Sequence, residues 1–202
     1  MVLDAQKEQI LQRTEQANRI YIYPTSLRRS DAQVRNRFAN LAAVRQELYR
    51  QLSDFPITLL RLLAEHPRGQ IVLTPTGAEY DPRIAVAQIG IRYLADATGV
   101  VQEEVTHLLD HLLGSSGLRA RMSEGHGINQ PVAELGKQLK TWYDVKRDSY
   151  YDRYAARNER EFLAQAVRKY LYLPGLLRAN DLEMFEFVRD RFLNEDFWKG
   201  VF

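Results

Sequence analysis

The sequence predicts an α+β protein that is mostly helical and has a small twisted β-sheet packed against one central helix. Apolar residues recur at three- and four-residue steps in most of the chain, which is the period of an amphipathic helix. Three short runs rich in β-branched and aromatic residues, at 20–23, 70–74 and 84–93, are typical of strands. The last of these runs leads into the helix at 101–114, so we expect that helix to pack on the sheet.

Before the central helix, we expect in order a polar helix over 4–18, a strand over 20–23, a helix over 30–52, a helix over 57–65, a strand over 70–74 and a strand-like run over 84–93. The helix over 30–52 opens with Ser30-x-x-Gln33, the pattern of a capping box. Pro56 suits the first turn of the helix that follows it. The arginines of this region alternate with the apolar residues, so we interpret them as a solvated helix face and expect no nucleic-acid partner.

The sequence predicts a helix over residues 101–114 whose two faces differ in chemistry. At 3.6 residues per turn, one face consists of the apolar residues Val101, Val105, Leu108, Leu109 and Leu112. An opposite arc of roughly 120° holds the ionisable residues Glu103, Glu104, His107, Asp110 and His111. The charged face of a half-buried helix usually faces water, and this interpretation stays open for the helix alone. Five such groups on so narrow an arc also suit a metal site or a proton-transfer site.

After the central helix, residues 115–131 are rich in glycine and are expected to form a mobile loop. The helices expected beyond it are one over 131–148, one that begins at Asn158 and ends at Pro174-Gly175, and one over 182–193. We expect two regions packed as one compact unit, namely an N-terminal helical lobe at 1–66 and a catalytic-type domain at 67–202.

Composition excludes several classes of site and partner. The 202 residues contain no cysteine, so disulfides and thiolate zinc sites are excluded and any metal must be held by His, Asp or Glu. The formal net charge of +2 is too small to imply a polyanionic partner. No apolar run approaches about 18 residues, so we expect no membrane span. The N-terminus lacks the pattern of a signal peptide, which predicts a cytoplasmic protein or a mature secreted form whose signal has been removed.

Two motifs in the second half of the chain resemble those of one peptidase family. Residues 103–107, Glu-Glu-Val-Thr-His, have the spacing of the zincin motif His-Glu-x-x-His, with Glu at the first position. Downstream, Tyr154 precedes Glu161 by seven residues, and residues 158–166 read Asn-Glu-Arg-Glu-Phe-Leu-Ala-Gln-Ala. This segment is similar to the zinc-site segment of the anthrax lethal factor-like zinc metallopeptidases, the group that includes the pro-Pro endopeptidases. The resemblance covers about residues 70–195.

The resemblance implies a zincin-like fold for the catalytic-type domain and the activity of a zinc-dependent endopeptidase. It assigns Glu104 as the general base that activates the attacking water, His107 as the second zinc ligand and Glu161 as the third. It also assigns Tyr154 as the donor that stabilises the oxyanion. Asp110 would orient a zinc-binding side chain without binding the metal itself. The implied cofactor is Zn²⁺, and the implied substrate is an extended peptide or protein segment, with proline-rich segments suggested by the family.

Glu103 stands at the position of the first zinc-binding His, and three outcomes follow. If Glu103 binds zinc, the Glu/His/Glu site is more anionic and binds zinc more weakly than His₂Glu, so activity falls or shifts to higher pH. If Glu103 does not bind, His111 is the substitute ligand, one helical turn beyond His107. If no metal binds, the chain is a catalytically impaired pseudo-peptidase that acts as a binding module.

Two other metal-site interpretations use the same helix. His107-x-x-Asp110-His111 is a shortened form of the inverse zincin pattern, but it leaves the downstream motif unexplained. Glu104-x-x-His107 has the spacing found in carboxylate-bridged di-iron helix bundles. Such a bundle needs a second Glu-x-x-His, which this sequence lacks.

Each of the site residues also has a purely structural interpretation. Glu161 is the fourth residue of Asn158-x-x-Glu, so it can simply close a capping box. In the same interpretation Tyr154 is one more packed aromatic residue. Glu103 and His107 are then an ordinary i,i+4 pair on a helix.

Overall fold

The computed structural model describes residues 4–96, 98–114 and 120–202, which form an α+β fold that is mostly helical. The helices of the first half are α1 (Ala5–Gln16), α2 (Ser26–Arg29), α3 (Ala32–Arg37), α4 (Leu41–Leu52), α5 (Ile57–Glu65), α6 (Ile91–Asp96) and α7 (Val100–Gly114). The helices of the second half are α8 (Gln130–Lys146), α9 (Glu159–Tyr172), α10 (Pro174–Asn180), α11 (Leu182–Phe187) and α12 (Glu195–Lys199). A 3₁₀ turn (Ala155–Arg157) precedes α9, and a π-helical segment (Val188–Phe192) follows α11. Within these residues, no helix has both the length and the hydrophobicity needed to cross a membrane.

One mixed sheet is formed by the strands β1 (Ile20–Ile22), β2 (Gln70–Thr74), β3 (Ala78–Asp81) and β4 (Val86–Gly90). Their order in the sheet is β1-β2-β4-β3. β1, β2 and β4 run parallel, with Ile20 opposite Ile71 and Ile71 opposite Ala87. β3 is antiparallel to β4, with Tyr80 opposite Ala87, and forms one edge of the sheet. The expected α+β class with a small sheet is confirmed.

α7 is the central element of the fold and is buried along its length. It contacts β3, β4 and α9. Its predicted apolar face is confirmed, because the five residues of that face, Val101, Val105, Leu108, Leu109 and Leu112, are at most 1% exposed. Gly99 leads into α7 with a φ of +77°, a conformation that favours glycine. A Cβ at Gly99 would lie 2.7 Å from Cδ2 of Tyr172, so glycine also lets α9 approach closely.

The predicted N-terminal region at 1–66 shares its sheet and its core with the rest of the chain. β1 pairs with β2 across the predicted boundary, and α1 packs on α5. Leu11 and Phe55 from this region belong to the same buried apolar cluster as Trp198 near the C-terminus. The described residues therefore have one continuous core, and α7 lies within it.

The single helix predicted over 30–52 is wrong, because this segment contains two helices, α3 and α4. Asp31, and not Ser30, caps α3 by accepting a hydrogen bond from the Val34 amide at 2.9 Å. Asn40 caps α4 in the same way. Each of these short polar side chains caps a new helix. The apolar period therefore continues through 30–52, although the helical backbone is interrupted between α3 and α4.

The strand-like run predicted over 84–93 is only partly correct. β4 ends at Gly90 and the chain continues at once as α6, whose Ile91 and Leu94 are buried at helical spacing. A Cβ at Gly90 would lie 2.4 Å from the carbonyl oxygen of Gly77, so glycine lets β4 pass close to the turn before β3. β3 itself has no sequence signal, because Ala-Glu-Tyr-Asp contains no run of apolar residues.

The helices observed after residue 158 lie where the sequence predicts them, but they begin and end differently. α9 ends just before Pro174 as predicted, but Pro174 also begins α10, where it suits the first turn. Asp181 caps α11, and the expected last helix changes to π geometry at Val188. Of the predicted loop at 115–131, residues 115–119 lie outside the described residues, and 120–129 contain no helix or strand.

Candidate metal centre

The ionisable face of α7 is buried in the interior of the protein. Glu103, Glu104 and His107 are only 7–8% exposed, and Asp110 and His111 are 1% and 4% exposed. A solvated helix face would expose these groups to water, so the interpretation of the arc as an ordinary charged surface is wrong. Burial of an ionisable group costs free energy unless a partner compensates its charge. Each of these side chains therefore needs a partner inside the protein.

Glu161 of α9 forms a cluster with Glu103 and His107. One possible donor atom from each of the three side chains lies within 4.8 Å of the other two. Asn158 caps α9 by accepting from the Glu161 amide at 3.0 Å, and the helix that it starts packs on α7. Glu161 Oε2 lies 3.5 Å from His107 Nε2. Asn158 is thus a cap, as the structural interpretation expects, but the Glu161 side chain belongs to the cluster.

A second residue of α9, Arg168, forms an ion pair with Glu103. Arg168 Nη1 donates to Glu103 Oε2 at 2.7 Å, and Arg168 Nε donates to the Thr98 carbonyl at 2.9 Å. Arg168 follows Glu161 by two helical turns and lies on the same face of α9. The Arg168 guanidinium compensates the charge of Glu103, whose side chain is only 9% exposed. Glu103 therefore enters the cluster as one half of an ion pair.

The donors of the cluster fit zinc. Zinc in proteins binds imidazole nitrogen and carboxylate oxygen, and catalytic sites commonly use three protein ligands. Glu161 Oε2 is buried and makes no hydrogen bond of normal geometry among the described residues, although His107 Nε2 lies 3.5 Å from it. A buried acceptor is normally satisfied, and a cation satisfies it. Burial lowers the pKa of His107, but the Glu161 and Glu104 carboxylates outweigh burial and hold this pKa above its usual value.

Glu104 and Tyr154 line the same cavity as the cluster, a space of about 240 Å³ that we call the metal cavity. Burial raises the pKa of Glu104 to about 7, against the opposing effect of His107. A carboxyl group with a pKa near neutrality accepts and returns a proton readily, which suits a general base. Burial also raises the pKa of Tyr154, and the Arg157 guanidinium lies 4.2 Å from the centre of the Tyr154 ring. The metal cavity brings together the residues to which the resemblance assigns zinc binding and catalysis.

No protein-family model, no curated protein and no solved structure matches this chain. The similarity of residues 103–107 and 158–166 to lethal factor-like peptidases therefore stays a resemblance of motifs. The function has to be argued from the residues of the site and from their geometry.

Tyr80 of β3 is a site residue that sequence reasoning missed. Its ring stacks on the His107 imidazole, with ring centres 6.1 Å apart and planes inclined by 21°. Its hydroxyl hydrogen-bonds His111 Nδ1, and Tyr80 also lines the metal cavity. These contacts fasten the edge strand to α7 and restrict the rotation of His107. Only the pairing of β3 with β4 brings Tyr80 here, so neither spacing nor composition signals it.

Asp110 and His111 have hydrogen-bond partners outside the cluster of Glu103, His107 and Glu161. The two oxygens of Asp110 accept from Ser123, one from its amide and one from its hydroxyl, each at 2.7 Å. Burial raises the pKa of Asp110 to about 6. This contact fastens the segment after residue 119 to α7, and His111 is engaged with Tyr80. Among the described residues, neither Asp110 nor His111 belongs to the group of convergent metal donors.

Proposed function

We propose that this protein is a zinc-dependent endopeptidase of the lethal factor-like type. The observation that supports this proposal most strongly is the convergence of Glu103, His107 and Glu161 at one point, with Glu104 and Tyr154 lining the same cavity. Metal donors, a general base and a phenol donor around one cavity are the parts that metal-assisted hydrolysis of a peptide bond requires.

The proposed roles follow from the chemistry of each side chain. Glu103, His107 and Glu161 would hold the zinc ion, which when bound acts as a Lewis acid and makes water at the site more acidic. Glu104 takes a proton from the attacking water and returns it to the amine that leaves. The Tyr154 hydroxyl donates to the oxyanion that forms on the carbonyl. The carbon–oxygen bond to water forms and the carbon–nitrogen bond breaks, giving an acid and an amine.

Arg168 modifies the expectation that a Glu/His/Glu site is more anionic than His₂Glu and binds zinc more weakly. The guanidinium balances the Glu103 carboxylate at 2.7 Å. Glu103 together with Arg168 is formally neutral, as a second imidazole would be. The cluster with this counter-ion therefore has the same formal charge as two neutral imidazoles and one carboxylate, which supports zinc binding by the residues present.

The proposed substrate is an extended peptide that adds a strand to the edge of the sheet. β3 is the last strand of the sheet on that side, and Ala78, Glu79 and Tyr80 from β3 line the metal cavity. A peptide hydrogen-bonded to an edge strand gains affinity from its main chain and leaves its side chains free to enter pockets. Such a peptide passes beside Glu104 and the cluster.

A second candidate function is a binding module without turnover. The observation that favours it is the hydrogen bond from Arg168 to Glu103 Oε2. An oxygen that is committed to a guanidinium is a poorer metal ligand, because the metal must share the charge of the carboxylate. In that case the edge of β3 still binds a peptide, but the peptide is not cleaved.

A peptide library incubated with the zinc-loaded protein tests the proposal. We expect cleavage that EDTA abolishes and added zinc restores. Glu104→Gln and His107→Ala should both lose the activity, while the matched control Glu134→Gln, which changes an exposed carboxylate on α8, should keep it. Cleavage that resists EDTA would contradict the proposal. A protein that holds zinc but cleaves none of the peptides would favour the binding module.

A further inference from the structure

The edge of the sheet opposite the metal cavity presents two aromatic rings to solvent. β3 lines the metal cavity, and β1 is the other edge. Tyr21 in β1 is 41% exposed, and Tyr23, just after the end of the strand, is 46% exposed. The two rings are in contact, with centres 4.8 Å apart and planes inclined by 89°. Two large aromatic side chains therefore lie in solvent at an edge that the proposed activity does not use.

The tyrosine pair adjoins the outward face of the sheet. Ile20 and Ile71 are opposite each other and at most 2% exposed, so they face the core. The next residue of each strand, Tyr21 in β1 and Val72 in β2, faces the other way. Tyr21, Val72 and Gln88 are in register across three strands, and each is at least partly exposed. A ligand that packs on the tyrosines can therefore also contact the sheet beside them.

Arginines without acidic partners flank the tyrosine pair. Arg19 lies two residues before Tyr21, and its Nε is buried without a hydrogen-bond partner among the described residues. Arg28 and Arg29 belong to the last turn of α2, which follows the pair, and both are exposed. None of these three arginines forms an ion pair with the part of the chain that the structure describes. Residues 17–30 contain three arginines and no Asp or Glu, so positive charge is concentrated here although the formal net charge of the protein is only +2.

We propose that this surface binds a single-stranded nucleic acid. We call it the β1 patch, and it consists of Arg19, Tyr21, Tyr23, Arg28 and Arg29. Exposed aromatic rings stack on unpaired bases while cationic side chains contact the phosphates, and this combination binds single strands with little regard to sequence. The bases of a duplex are already stacked on one another, so the rings favour a single strand. An acidic peptide would satisfy the arginines but would offer the rings no planar bases.

This inference goes beyond the proposed peptidase function and does not depend on it. The β1 patch and the metal cavity lie at opposite edges of the sheet, so binding at the β1 patch needs no metal. The inference revises the expectation of no nucleic-acid partner, which considers the arginines of the helices and not the exposed tyrosines that precede them.

Fluorescence anisotropy with a labelled strand of about twelve deoxythymidines tests the proposal, with EDTA in every sample so that no metal contributes. A uridine strand of the same length distinguishes RNA from DNA, and the comparison probes are the corresponding DNA duplex and a poly-glutamate peptide of equal charge. The variants are Tyr21→Ala/Tyr23→Ala, Tyr21→Phe/Tyr23→Phe and Arg28→Gln/Arg29→Gln. The matched control Arg189→Gln/Arg191→Gln removes two exposed arginines from the π-helical segment, which packs on α9, α11 and α12. Unfolding in urea verifies that each variant is folded.

We expect at least one of the single strands to bind at least about tenfold more tightly than the duplex or poly-glutamate. Tyr21→Ala/Tyr23→Ala should weaken this binding at least about tenfold, whereas the phenylalanine variant should stay within about twofold of the wild type, because the ring and not the hydroxyl stacks on a base. Arg28→Gln/Arg29→Gln should reduce the slope of log affinity against log salt concentration by about 1.4, since each phosphate contact with a single strand contributes about 0.7.

Four results would overturn the proposal. The first is that neither single strand binds at low salt, and the second is that the duplex or poly-glutamate binds as tightly as a single strand. The third is an alanine variant with the affinity of the wild type. The fourth is a loss of slope in Arg189→Gln/Arg191→Gln equal to that in Arg28→Gln/Arg29→Gln, which would show attraction to the charge of the whole protein and not to the β1 patch.

Discussion

The ion pair between Glu103 and Arg168 gives a quantitative prediction, namely the coupling energy between these two side chains. Arg168 Nη1 and Glu103 Oε2 are 2.7 Å apart, and the two side chains are 33% and 9% exposed. Removing one partner of a fully buried pair costs about 3–5 kcal/mol, whereas an exposed pair contributes about 0–1 kcal/mol. Water screens the exposed third of Arg168, so we expect a coupling energy of about 2 kcal/mol between these two residues.

A double-mutant cycle measures this coupling. The free energy of unfolding in urea is determined for the wild type, Glu103→Gln, Arg168→Met and the double variant, with EDTA present so that metal binding does not contribute. Arg168→Met keeps much of the stem and removes the guanidinium, and the lost bond to the Thr98 carbonyl cancels in the cycle. The exposed pair of Arg189 and Asp190 is the control and should show a smaller coupling. A coupling below about 0.5 kcal/mol for Glu103 and Arg168 would refute the view that Arg168 compensates Glu103.

Three further changes test other parts of the site. Tyr154→Phe should lower kcat about 100-fold with little change in KM, because the hydroxyl acts on the oxyanion and not on the bound substrate; steady-state kinetics on a cleaved peptide measure this, and an unchanged kcat would exclude the role. The raised pKa of Asp110, about 6, adds stability that is present below its ordinary pKa near 4 and lost as the pH rises through 6. Between about pH 4 and pH 7 the wild type should therefore lose roughly 3 kcal/mol more in its free energy of unfolding than Asp110→Asn does, and equal losses would contradict the burial argument. Lys169→Met should loosen the turn that carries Tyr154, because Asp152 accepts from both the Tyr154 amide and Lys169; hydrogen exchange at the amides of Tyr154 and the residue after it should speed up, and unchanged protection there would count against this tether.

The long helices could be predicted from the sequence because their apolar residues repeat over several turns. α7, α8 and α9 begin and end within a few residues of the expected positions. The break between α3 and α4 could not be predicted from that period, since the capping side chains Asp31 and Asn40 decide it. β3 could not be predicted either, because its pairing with β4 is a tertiary contact and not a local pattern.

The candidate site was predictable in part. Spacing alone places Glu103 and His107 on one face of a helix, but only the motif resemblance connects that face with Glu161. The burial of α7 distinguishes a site from a solvated surface, and burial depends on the sheet and on α9. Arg168 reaches Glu103 through the contact of α9 with α7, so no pattern within either helix signals the pair.

The zinc content of the purified protein tests the metal centre most directly. The protein is loaded with zinc, dialysed against zinc-free buffer and measured by mass spectrometry of the metal, beside the double variant His107→Ala/Glu161→Ala and the control Glu134→Gln. We expect about one zinc per chain in the wild type and the control, and less than about 0.1 in the double variant. A wild-type protein with less than about 0.1 zinc per chain, or equal contents in the wild type and the double variant, would contradict a zinc site formed by Glu103, His107 and Glu161.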